Sequence, residues 1–185
     1  MISGPSGVGK STIAKKLGEN GIPRVMTTTT RAPRGSEKNG VEYRFLSRPE
    51  FEAEVAQGKF LEWAEIGKNL YGTPKERIEQ ELSSRALVLV DIDTQGAASI
   101  RKMALPALYV FIMPPDLEEL RRRLTKRGAE TPSQIELRLQ TAAREMEHWR
   151  DYRYTIISQS IEEDLMKFRH IMGAERYLSS RMILA

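Results

Sequence analysis

The run Gly4-Pro5-Ser6-Gly7-Val8-Gly9-Lys10-Ser11-Thr12 decides the fold. Its first eight residues satisfy G-x-x-x-x-G-K-[ST] at every fixed position. Glycines at those places let successive backbone N–H groups converge on phosphate oxygens at a helix N-terminus, where the helix dipole favours an anion. A lysine at Lys10 reaches the outer phosphates, and a hydroxyl at Ser11 suits a magnesium ion. Residues 4–12 are therefore the candidate contacts for a nucleoside triphosphate. Only Met1 and Ile2 precede Ser3, so the strand feeding this loop is expected to be short. The helix after it is expected over residues 9–17.

Outward from the loop, two apolar runs read as parallel strands buried on both faces: ALVLVDI at residues 86–92 and LYVFIM at 108–113. Helices are expected between and after them. One spans 116–127, with Asp116 as N-cap and Gly128 as stop. A longer one spans 132–150, where Ile135, Leu139, Ala142, Met146 and Trp149 recur at helical spacing. A strand at 154–158 and an amphipathic helix through Ile161, Leu165, Phe168 and Met172 close the pattern. Buried strands alternating with helices predict an α/β fold with a parallel sheet. Residues 24–66 are different: a basic, threonine-rich stretch, an alternating strand at 41–46, a helix at 49–57 and a strand at 60–66. They read as an insertion over that sheet, and a helix is expected at 74–82.

Composition narrows the function. The 185 residues are 40% hydrophobic and 29% charged, a globular balance. With no cysteine, disulfide scaffolds, thiolate zinc sites and cysteine nucleophiles are excluded, and a reducing, cytoplasmic setting is expected. No run approaches the length of a membrane span, and the N-terminus does not read as a signal peptide. A net charge of +4 is weak support for nucleic-acid binding, and neither nucleic acid nor membrane is expected as a partner. The 29 basic residues comprise 19 Arg and 10 Lys. Guanidinium forks grip phosphate bidentately, so that excess suits a small phosphorylated substrate.

Further motifs follow the loop in order. They are Thr27 through Glu37 (TTTTRAPRGSE), Gly40-Val41-Glu42-Tyr43, Phe60-Leu61-Glu62-Trp63-Ala64, Tyr71-Gly72-Thr73 and Asp91-Ile92-Asp93-Thr94-Gln95-Gly96. In this order and spacing the set strongly resembles the guanylate kinases, P-loop nucleoside monophosphate kinases, from Ile2 to about Ile171. The resemblance implies a P-loop NTPase-type parallel sheet flanked by helices, an inserted mixed α/β GMP-binding lobe and a helical lid. It divides a single domain into a core (1–23, 84–115 and 141–185), a GMP-binding lobe (about 24–83) and a lid (about 116–140). It also implies magnesium-dependent transfer of the γ-phosphoryl group of ATP to GMP, in purine nucleotide metabolism. The chemistry of the residues agrees. Arg31 and Arg34 suit a monophosphate clamp, with hydroxyls from Tyr43 and Tyr71. Glu62 matches guanine's adjacent N1–H and amine donors, and Thr27 and Thr73 suit its carbonyl or ring nitrogen. With Asp93 these form the implied GMP site, while Ser11 and Asp91 would hold magnesium, partly through water. Trp63 is expected to pack in the interior.

In the lid, Arg123, Arg127 and Arg138 match the family's phosphate-contacting arginines. Lys10, Arg31, Arg127 and Arg138 form the implied catalytic set, and Arg123 and Arg127 join the ATP site. Arg121 and Arg122 read as surface charge. Three departures stand out. The glycine after Arg34 is displaced by one place (Gly35-Ser36-Glu37), Thr27 stands where the family carries serine, and Ser158-Gln159-Ser160 replaces an Asn-Asp pair. Ser158 is accordingly left outside the expected site. Two other readings compete. A ribose bisphosphate phosphokinase would not need Glu62 with Thr73. A non-catalytic guanylate-kinase-like interaction module would not need Lys10, Ser11 and both arginine groups together.

Overall fold

In a computed structural model, residues 1–178 are described apart from Ser36, Ala104 and Ala129. Ser36 belongs to the displaced-glycine motif and Ala129 to the lid motif, so those two positions lie outside the described residues. The chain begins with β1 (Ile2–Ser3), α1 (Lys10–Glu19), β2 (Thr28–Thr29), β3 (Arg44–Phe45) and α2 (Arg48–Ala56). It continues through β4 (Phe60–Ile66), β5 (Asn69–Pro74), α3 (Lys75–Ser84), α4 (Thr94–Arg101) and β6 (Val110–Met113). It ends with α5 (Leu117–Arg127), α6 (Pro132–Met146), a 3-10 turn (Glu147–Asp151), β7 (Tyr154–Ile157) and α7 (Ile161–Arg176). Among the described residues, no helix is long and apolar enough to cross a membrane. Two compact units emerge: Met1–Ser3 with Leu17–Leu108, and Gly4–Lys16 with the chain from Tyr109 onward.

The first unit holds a four-stranded mixed sheet in the order β3-β2-β5-β4. β2 runs parallel to β3 and antiparallel to β5, and β4 and β5 form an antiparallel pair. The sequence reading had no strand at 69–74, because Gly72 and Pro74 break the usual pattern. Pairing with β4 supplies what local propensity lacks. Gly72 also has a packing reason: a Cβ there would come within 2.8 Å of Phe60 and 2.9 Å of Phe51. Those rings stack at 4.5 Å between centroids, in a core shared with Leu70, Leu46 and Val55. The expected strand at 41–46 shrinks to Arg44–Phe45, with Val41 exposed. Helix α2 starts at Ser47, whose side chain and Glu50 form a reciprocal capping box with Pro49 in the first turn.

The run at 86–92 is buried at Leu89, Val90 and Ile92 but forms only isolated parallel bridges, Ile2 to Asp91 and Arg24 to Leu89. Its neighbour β1 offers only two residues, too few to sustain a ladder. Helix α4 was not foreseen, since Gly96 and a short polar start disguise it. Asp93 caps it, accepting from the N–H groups of Gln95 and Gly96 at 2.7 and 3.0 Å.

In the second unit β6 and β7 pair in parallel from Val110–Tyr154 to Met113–Ile157. Phe111 and Ile112 of β6 are fully buried, as a strand covered on both faces requires. Helices α5 and α6 close over Leu120, Leu124, Ile135, Leu139 and Ala142. Asp116 caps α5, and Gly128 ends it in the left-handed conformation. Thr131 and Gln134 box the start of α6. The helix expected to reach residue 150 stops at Met146 and tightens into the 3-10 turn.

Candidate active site

Each unit carries one constellation. In the second, the loop after β1 bends where only glycine fits: Gly4 has φ +139°, and a Cβ there would lie 1.9 Å from the Ile112 carbonyl oxygen. Lys10 curls over the loop and donates from Nζ to the carbonyls of Gly4 (2.5 Å) and Pro5 (2.9 Å). Ser11 and Thr12 are exposed in the first turn of α1. Arg138 donates to Ser6 Oγ at 2.6 Å and pairs with Glu130 at 2.8 Å. The structure therefore brings this expected lid arginine onto the loop itself. Arg127 is exposed in the last turn of α5, where a cation also complements the helix dipole.

Arg123 behaves differently from the other two. Its Nε donates to Glu119 at 2.7 Å. Nη1 reaches the Val8 carbonyl and Ser158 Oγ, both at 3.0 Å. Nη2 reaches the carbonyls of Ser158 (2.9 Å) and Gln159 (3.2 Å). All five guanidinium N–H groups are engaged with protein, so Arg123 ties the phosphate loop to the end of β7. Ser158, excluded by sequence reasoning, is the hub. It is 3% exposed, accepts from Arg123, and donates to Asp164 Oδ2 at 2.7 Å. Asp164 is itself 2% exposed. The Asn-to-Ser departure drew attention to this place, but no motif pairs a serine after a strand with a carboxylate six residues on. Arg121 and Arg122 lie in ion pairs with Glu136 and Glu119, as expected of surface charge.

In the first unit the residues expected at the GMP site gather on and beside the mixed sheet. Arg31 is buried and holds Glu37 bidentately, Nη1 to Oε2 at 2.9 Å and Nη2 to Oε1 at 3.1 Å. Glu37 also accepts from the Arg34 N–H at 2.8 Å. Glu37 was quoted in the motif but given no role. The turn that returns it passes through Gly35 at φ +53°, so the displaced glycine still supplies a turn. Arg34 itself is exposed. Two guanidinium groups lie over the Tyr43 ring, Arg24 at 5.4 Å and Arg31 at 5.3 Å. The Tyr43 ring meets Tyr71 edge-on at 6.5 Å. Burial, with the Asp91 carboxylate nearby, raises its phenol above the usual range. Arg24, a second residue that the sequence reading left out, sits 3.8 Å from Asp91.

Strand β4 breaks the ordinary rule of alternation. It buries Phe60, Glu62 and Ala64 and exposes Trp63, so a carboxylate points inward where the tryptophan was expected. The β4–β5 register sets Glu62 opposite Thr73, and Thr73 Oγ1 donates to Glu62 Oε1 at 2.5 Å. Thr73 is fully buried and Thr27 nearly so. Burial, reinforced by the Asp93 charge and opposed by the Thr73 hydrogen bond, pushes the Glu62 carboxyl up to about 7. A buried carboxyl with a single donor has acceptor capacity left over, and so is built to receive more.

Ser11 and Asp91 offer the hard oxygen atoms a magnesium ion prefers. Ser11 stands in the second unit and Asp91 in the first.

These features have relatives. The guanylate kinase family model matches residues 1–175. The chain is 40% identical over 184 residues to a guanylate kinase of Clostridium perfringens (strain SM101 / Type A), covering 98% of this chain and 85% of that one. A guanylate kinase of Rickettsia felis is 44% identical over 178 residues, covering 95% and 93% respectively. The crystal structure of guanylate kinase from Anaplasma phagocytophilum superimposes with a TM-score of 0.81 at 36% identity, over 98% of this chain and 87% of that one. Matched along nearly its whole length by sequence and by fold, this chain belongs to the guanylate kinase family.

Proposed function

We propose that this protein transfers the γ-phosphoryl group of ATP to GMP, giving ADP and GDP. One observation carries the choice of acceptor: the inverted alternation of β4, which buries Glu62 beside Thr73 on the sheet that also carries Tyr71, with Arg31 just past β2 and Tyr43 just before β3. Guanine presents two adjacent donors, N1–H and the 2-amino group, to such a carboxylate. Adenine presents a lone pair at N1, which the carboxylate repels. A ribose bisphosphate has no base to offer, and burying the acid for such a substrate would be uncompensated cost.

The roles follow from chemistry. Arg31, steadied by Glu37, and Arg34 grip the GMP phosphate, and Tyr43 and Tyr71 add hydroxyls. Thr27, Thr73 and Asp93 complete the acceptor site. The backbone N–H groups of residues 4–12 cradle the ATP phosphates. Lys10 exchanges its carbonyl partners for the outer phosphates, and Arg127 and Arg138 neutralise charge on the transferring group. Arg123 holds the loop through Val8 and thereby shapes the ATP site. A GMP phosphate oxygen forms the new bond to the γ-phosphorus as the bond to the ADP oxygen breaks. Ser11, and Asp91 through water, are the residues that would hold magnesium, and the ion would supply charge neutralisation on the phosphates. The chain is proposed to act as one domain with core, GMP lobe and lid, in the cytoplasm, with ATP and GMP rather than nucleic acid or membrane as partners.

A coupled ADP-release assay with GMP, AMP, CMP, UMP and ribose bisphosphate tests this. ADP release with GMP far above the other four is expected. Turnover of ribose bisphosphate at or above that of GMP overturns it.

A further inference from the structure

Gly96 is the third residue of α4 and is buried. Its φ is not in the left-handed region, so the backbone there accepts any residue. Alanine would favour the helix by about 1 kcal/mol. Neither conformation nor helix propensity explains a glycine at this place. The neighbour does. A Cβ on Gly96 would lie 2.6 Å from Glu62 Oε2, 3.0 Å from Cδ and 3.5 Å from Oε1. From the other side, Thr73 Oγ1 holds Oε1 at 2.5 Å. The carboxylate is thus wedged between the β5 hydroxyl and the first turn of α4, in a slot that exists because Gly96 has no side chain.

We propose that Gly96 is a specificity-determining residue: its missing side chain is the slot that fixes the direction of the Glu62 carboxylate, and through it the preference for guanine. The proposal rests on Glu62 being the base reader. No real Cβ–oxygen contact is as short as 2.6 Å, so something must yield when a methyl group is added. The helix start is held by the Asp93 cap, and β4 is held by its register with β5. The carboxylate is the freest of the three. It turns away, loses Thr73, and no longer lies in line with the N1–H and amine of guanine. A site built on directed hydrogen bonds loses discrimination when they misalign, because the correct base then leaves groups unpaired as the wrong one does.

The test is a cycle of Gly96→Ala, Glu62→Ala and the double variant, measured for kcat/KM with GMP and with AMP and for melting temperature. Gly96→Ala is expected to raise the GMP KM at least tenfold and to shrink the GMP-to-AMP preference by a similar factor, while kcat at saturating GMP falls less. In the Glu62→Ala background the same substitution is expected to change neither, since no carboxylate remains to displace. A merely structural role would not produce that dependence on Glu62. If Gly96→Ala alone lowers the melting temperature, removing the Glu62 side chain is expected to restore it.

Three results for the Gly96 substitution overturn the proposal. The first is wild-type base preference in a folded Gly96→Ala protein. The second is an effect of equal size with and without Glu62. The third is loss of fold in both the single and the double variant. If Glu62→Ala itself leaves base preference unchanged, the reading of Glu62 fails and Gly96 fails with it. If Glu62→Ala reduces preference but Gly96→Ala does not, Gly96 alone is misassigned.

Discussion

Glu62→Gln tests how a buried acid serves both stability and recognition. In the unfolded chain this carboxyl titrates near 4.5, and in the fold burial raises it to about 7. Between those values the folded protein keeps a proton that the unfolded chain has released. The stability this contributes is complete below pH 4.5 and is lost as pH rises through 7. The interval of about 2.5 units corresponds to about 3–4 kcal/mol at roughly 1.4 kcal/mol per unit, an upper bound for one group. Glutamine keeps the shape, still accepts from Thr73 and never ionises. The melting temperature of the parent protein should therefore fall between pH 5 and 8 more steeply than that of Glu62→Gln, and the variant should be the more stable at pH 8.

GMP binding should run the opposite way, because guanine's donors require the ionised acid. For a group titrating at about 7, the ionised fraction rises about tenfold between pH 6 and pH 8, and GMP affinity should rise with it. The phosphate of GMP also titrates in this range. The ratio of parent to variant affinity at each pH cancels that contribution and isolates Glu62. Calorimetric titration of GMP at pH 6, 7 and 8 in both proteins gives the ratio directly. A ratio that stays flat across this range would refute the assignment of Glu62 as the ionised reader of guanine. Identical pH–melting curves for the two proteins would refute the burial argument.

Other expectations follow from the same geometry. Lys10→Met should reduce turnover by about 100-fold or more, since a point charge on the migrating phosphoryl group acts mainly in the transition state. Its circular dichroism and melting should stay near those of the parent, and steady-state kinetics settles the point. Arg34→Ala should weaken GMP and AMP by similar factors, because an exposed guanidinium beside the Arg31–Glu37 pair reads phosphate and not base; the two KM values decide it. Ser158→Ala should cost about 1–3 kcal/mol in chemical denaturation by removing the hydroxyl donor from Oδ2 of buried Asp164. It should also raise the KM for ATP more than that for GMP, because Arg123 then loses the Ser158 hydroxyl, one of the acceptors that hold it beside Val8. Ser158→Thr keeps the hydroxyl and should recover most of the ATP KM.

Local chemistry was enough for much of this protein. The phosphate loop is legible because its requirement is a backbone path: three of its glycines have positive φ, and a Cβ on Gly4 would strike the Ile112 carbonyl. The caps at Asp116 and the stop at Gly128 are equally local, as is the buried run of β6. The order of the motifs along the chain identified the family and supplied the candidate site residues. What it missed depends on partners beyond each residue's immediate neighbours. β5 is a strand because β4 lies beside it, and residues 86–92 fail to form one because β1 is two residues long. Trp63 faces outward and Glu62 inward because the register with Thr73 sets the phase of β4, against the hydrophobic pattern. Ser158 became a hub through Arg123, 35 positions away, and Glu37 closed on Arg31 through a turn that no motif describes. The roomless contact between Gly96 and Glu62 belongs to the same class. The sequence by itself determined which groups the protein owns and where its backbone must bend, since those follow from each residue and its neighbours. Only the tertiary structure decided which of those groups face one another, since burial, register and contact are set by segments that meet after folding.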